Sequence, residues 1–178
     1  MHRRQVVRTL GAALALPFLP RNAEAAIALG QRLHARLVRE EVPFRTLDAT
    51  QQKLVADIAD AIIPATDTPG ASAVGVPQFI DLILTEWMSD EERTAFLRGL
   101  GEIDAMHFAG SADTQKTAIL TRLDAARHDA SGAGLAFGRL KALTVYGYFT
   151  SQRVQQDLLH TRMYFDGYHG DVPFTAIS

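Results

Sequence analysis

Two capping boxes constrain this chain more than any other feature. Asp48 is followed three residues on by Gln51, and Ser89 by Glu92. In that arrangement each first side chain satisfies a helix N–H, and the second reaches back to the cap. Apolar residues at helical spacing follow both boxes. Leu54, Val55, Ile58 and Ile62 follow the first, and Phe96, Leu97, Leu100 and Ile103 the second. Pro64 stops the first of these helices. Pro77 fits the first turn of another, whose apolar face is Phe79, Ile80, Ile83, Leu84 and Trp87.

The rest of the chain reads the same way. A helix is predicted from Ala26 to about Glu41, before Pro43, and another from about Asp113 to Arg127. Ser131 to Gly134 reads as a linker. Phe137 to Leu159 is helical by pattern, although Thr144–Thr150 alone would pass for a strand. Pro64–Val76 reads as a loop, with Pro69-Gly70 as a type II turn in which the glycine takes a positive φ. The expectation is all-α: one compact domain of five or six helices with an irregular aromatic C-terminal tail.

The N-terminus reads as an address. Arg3 and Arg4 precede an apolar stretch of moderate strength from Thr9 to Pro20, and Ala23-Glu24-Ala25 makes a small-residue cleavage site. Paired arginines before a weakly apolar, Gly/Ala-containing stretch suggest the twin-arginine route, which exports folded proteins. An ordinary secretory signal and an uncleaved anchor are the other readings. The apolar stretch falls short of the roughly 20 residues that span a bilayer. The expected division is a signal at 1–25 and a helical domain at 26–178, delivered to the periplasm, at or near the periplasmic face of the inner membrane.

Charge and cysteine content exclude several functions. The chain holds 18 basic and 20 acidic residues, a net of −2. Losing Arg3, Arg4, Arg8, Arg21 and Glu24 with the leader would take this to −5. That balance offers no footprint for nucleic acid or anionic lipid. There are no cysteines, so no disulfide framework, no cysteine-held iron–sulfur cluster and no C-x-x-C-H haem attachment.

No catalytic motif is present: no phosphate-binding loop, no G-x-G-x-x-G, no G-x-S-x-G and no H-E-x-x-H. His34, His107, His128, His160 and His169 lack a histidine or carboxylate at i+4, and read as surface or locally hydrogen-bonded side chains. Asp57, Asp60 and Asp67 flank the Pro64 loop but lack calcium-loop spacing. A solvated helix face plus a turn-forming Asp is the favoured reading of those three. The expectation is no catalytic residue, no metal and no cofactor in this chain. Tyr164, Phe165, Tyr168 and Phe174 crowd into a tail broken by Gly167, Gly170 and Pro173. These rings either pack back onto the helices or form a binding surface.

Two stretches resemble the family of gluconate 2-dehydrogenase subunit 3. One is Ile58-Ala-Asp-Ala-Ile-Ile-Pro64-Ala-Thr-Asp67-Thr-Pro69-Gly70-Ala, followed by Gly75-Val-Pro-Gln-Phe-Ile-Asp81. The other is Gly147-Tyr-Phe-Thr150-Ser151, followed by Tyr164-Phe-Asp-Gly-Tyr168-His-Gly170-Asp. The likeness covers roughly Leu47 to Asp171 and is weak between Arg93 and Leu135. Asp166 stands where the family usually has a Pro before Gly-Tyr.

The resemblance implies a non-catalytic small subunit. Its large partner would be a flavoprotein of the glucose-methanol-choline class that holds FAD and oxidises a sugar, sugar acid or glycoside. A cytochrome subunit with haem c can take the electrons. The small chain would carry the signal read by the twin-arginine translocase. The loop and the tail would meet the partner, through Pro64, Asp67, Pro69, Gly70, Tyr164, Phe165, Tyr168 and His169. The competing reading is an independent periplasmic helical protein, either a small-molecule binder or an enzyme using His169 and Asp166.

Overall fold

The computed structural model describes residues 19–128 and 132–158. Among them are six α-helices and no strand, which is the expected all-α class. Helix α1 spans Ala23–Glu40, α2 Ala49–Ile62, α3 Val76–Glu86, α4 Asp90–Asp104, α5 Asp113–Ala125 and α6 Gly132–Thr150. Short 3-10 turns occupy Ser72–Val74 and Phe108–Gly110, and a π-helical turn occupies Val154–Leu158.

Both capping boxes form. Asp48 accepts from Gln51 N at 2.9 Å, and Gln51 Oε1 accepts from Asp48 N at 3.1 Å. Ser89 and Glu92 make the same exchange at the start of α4. Pro77 sits in the first turn of α3, where a missing N–H costs nothing.

Helix α1 begins earlier than its apolar pattern predicts, at Ala23 rather than Ala26. Asn22 is the cause: its side chain accepts from Glu24 N at 2.9 Å and Ala25 N at 3.5 Å.

Helix α6 is the axis of the fold and packs against all five other helices. Because it is surrounded, Leu143, Thr144 and Tyr146 through Thr150 are all buried. A helix that is apolar all round has no periodicity to read, so this segment could pass for a strand. The expected linker is overturned at Gly132–Gly134, which form the first turn of α6. Glu102 of α4 accepts from Ala133 N at 2.8 Å, and so caps α6 from another helix. Gly134 is required by packing, because a Cβ there would lie 2.2 Å from the Ala126 carbonyl oxygen.

The predicted run to Leu159 also breaks. At the end of α6 the Thr150 hydroxyl bonds back to Tyr146 O at 2.8 Å, and Ser151 Oγ donates to Tyr148 O at 2.8 Å. Gln155 then donates to Phe149 O, and the chain widens into the π turn.

His34 departs from its reading as a surface or locally bonded residue. It is buried, and its Nε2 lies 2.7 Å from Gly147 O on α6. A carbonyl only accepts, so the imidazole carries its proton on Nε2.

Candidate partner interface

The loop between α2 and α3 is built in two halves. Its first half, Pro64 to Asp67, is exposed. Asp67 Oδ1 accepts from Thr66 Oγ1 at 2.9 Å, and Thr66 N donates to Thr68 O at 2.9 Å, which curls the tip on itself. Its second half is clamped to the body. Ala71 N donates to Ile63 O at 3.1 Å, and Asp60 accepts from Ser72 N at 2.8 Å and Ser72 Oγ at 2.5 Å. Tyr148 of α6 donates its phenol proton to Pro69 O at 3.0 Å. Thus Asp60 is a loop clamp rather than part of a solvated face.

Gly70 is buried at the point where these clamps converge, and it corrects the expected turn geometry. Among the described glycines only Gly75 and Gly132 have positive φ. Gly70 is needed for space instead: a Cβ there would meet Asp60 Oδ1 at 2.9 Å and Ala65 N at 3.1 Å. The positive φ that lets the chain leave the loop belongs to Gly75, at 81°.

Asp81 holds the connection into α2. Its carboxylate accepts three successive backbone N–H groups: Arg45 at 2.8 Å, Thr46 at 2.9 Å and Leu47 at 2.7 Å. Nearby, Glu86 receives Arg36 through two bonds of 2.6 and 3.0 Å, and also receives Arg45. The Arg36 bond, with Arg45 second, holds the Glu86 carboxyl below its ordinary range. This exposed cluster ties α1 to the end of α3.

Of the residues expected at the interface, Pro64 and Asp67 lie together on the exposed tip, Pro69 is half-buried, and Gly70 is buried beneath them. The loop is therefore not uniformly unsatisfied, as its composition suggests; its exposed surface is the tip, Pro64 to Asp67, together with Ala73. Tyr164, Phe165, Tyr168 and His169 lie outside the described residues, as do Arg3 and Arg4. Ala23 and Ala25 are exposed in the first turn of α1.

Asp60, Ser72, Tyr148 and Asp81 were not singled out as site residues. The signal for Asp60 is a carboxylate near the end of a helix with a hydroxyl in the following loop. No local pattern joins Tyr148 to Pro69. Among the described residues no group of three or more His, Cys, Asp or Glu side chains is arranged to hold a metal. None of the described helices is long and apolar enough to cross a membrane.

The family model described as gluconate 2-dehydrogenase subunit 3 matches residues 49–167. No curated protein and no solved structure matches the chain. The matched span opens on the first residue of α2, includes the whole clamped loop, and leaves α1 outside.

Proposed function

The chain belongs to the gluconate 2-dehydrogenase subunit 3 family, and on that premise we propose that it is a non-catalytic subunit that stabilises and co-exports a large FAD-dependent dehydrogenase. The observation that carries this reading is the family match across the Pro64–Gly70 loop, whose tip is exposed and whose base is clamped. A rigid base under a small exposed tip suits docking, because little ordering cost remains at association. In this reading the large subunit holds the flavin and oxidises a sugar, sugar acid or glycoside. A haem c subunit takes the electrons. The complex crosses to the periplasm by the twin-arginine translocase, on the signal that begins with Arg3 and Arg4.

Arg3→Lys with Arg4→Lys keeps the charge and removes the paired guanidinium groups. Both this chain and the large subunit are then expected to stay in the cytoplasm. Normal periplasmic amounts of the large subunit in the double variant would overturn co-export. The independent-protein reading is tested by purification. Isolation of the small chain from the periplasm should bring down a yellow complex, and a colourless chain on its own would favour the alternative.

A further inference from the structure

We infer that the folded chain shields its own leader-cleavage bond, so that the exported protein keeps its leader. The small-residue site Ala23-Glu24-Ala25 places the scissile bond between Ala25 and Ala26. In the structure that bond lies in the first turn of α1. Ala26 N donates to Asn22 O at 3.0 Å, and the Asn22 side chain caps Glu24 N and Ala25 N.

Both flanks of the bond are anchored. On the leader side, Leu19 is buried in the hydrophobic core at 8% exposure. On the body side, Ala26 is buried at 4% exposure. Its carbonyl accepts the phenol proton of Tyr146 at 2.7 Å. The leader therefore runs into the folded body without a spacer: Leu19 is packed, and Asn22 already caps the helix.

A peptidase that binds its substrate as an extended strand needs that turn opened. Its rate then follows the opened population. The inference rests on the proposed export of a folded chain, because folding closes this turn before the peptidase is met.

The test compares wild type with Ala28→Pro and Asn22→Ala, each co-expressed with the large subunit. Proline at position 28 removes one helical N–H and crowds the carbonyl of Glu24, which opens the turn. Loss of the Asn22 cap should raise the opened population roughly fivefold. Intact mass and N-terminal sequence are read on the exported protein. The expected result is wild type with its leader and Ala28→Pro beginning at Ala26. Wild type beginning at Ala26, or Ala28→Pro keeping its leader, would overturn the inference.

A second arm separates this inference from the export reading. Purified full-length chain is treated with elastase, whose small pocket favours cleavage after residues such as alanine. Cleavage after Ala25 should be at least about tenfold slower in wild type than in Ala28→Pro. Asn22→Ala should fall between them. Equal rates would sink the shielding whatever the chain's location. Protection in this arm, with no export in cells, would overturn the export reading alone.

Discussion

The imidazole of His34 lies flat on the ring of Phe79, with centroids 4.5 Å apart and planes 11° from parallel. The same imidazole donates to the Gly147 carbonyl. One side chain of α1 thus joins α3 and α6, which accounts for a histidine in the core.

Burial pushes the His34 imidazole down to about 4 from an ordinary 6.5, and the bond to Gly147 O offsets part of this. The folded value lies below the unfolded one, so the contribution is complete above pH 6.5. It is lost as pH falls from 6.5 towards 4, because the unfolded chain takes up a proton that the fold refuses. About 3 kcal/mol is at stake. Urea midpoints between pH 6.5 and 4.5 should fall steeply in wild type and much less in His34→Phe. Parallel slopes would refute this.

The three N–H groups on Asp81 make it the anchor of the segment leading into α2. Asp81→Ala leaves them without their acceptor, and Leu47, one of the three residues, is buried. The expected cost is about 3 kcal/mol or more, measured by denaturant unfolding. Asp81→Asn should recover only part of it, since the amide nitrogen cannot accept. A loss below about 1 kcal/mol for Asp81→Ala would show that the segment is held by other contacts.

Two glycines in helices should respond with opposite sign. Gly134→Ala drives a methyl group into the Ala126 carbonyl, at a cost of about 2 kcal/mol. Gly101 in α4 has no atom within 4 Å of an added Cβ. Gly101→Ala should therefore stabilise by about 0.5–1 kcal/mol. Thermal unfolding of the two variants checks both, and a destabilised Gly101→Ala would contradict the packing described.

Tyr148→Phe keeps the buried ring and removes the bond to Pro69 O. Stability should fall by only about 1 kcal/mol. Under the proposed function the loop tip loses its fixed base, so co-purification of the large subunit should weaken. A variant that retains the partner as tightly as wild type would remove Tyr148 from the positioning of the interface.

The starts of α2, α3 and α4 were legible because their signals are local. A cap and its partner are three residues apart, and apolar spacing repeats within two turns. The exposed tip at Pro64 and Asp67 follows from the same punctuation. The start of α1 was missed by three residues because Asn22, a cap rather than an apolar residue, sets it. The glycines at the start of α6 misled for a different reason. Locally they weaken a helix, while in the fold they are the residues that fit against Ala126 and Gly99. What joins His34 to Gly147, Asp81 to Leu47 and Tyr148 to Pro69 appears in no local pattern. These partners lie far apart along the chain. By itself the sequence determined where helices begin and end, since capping and periodicity act over a few residues. Tertiary packing alone decided which polar side chains serve the core and which clamp the loop, since a buried polar group is stable only where a distant partner satisfies it.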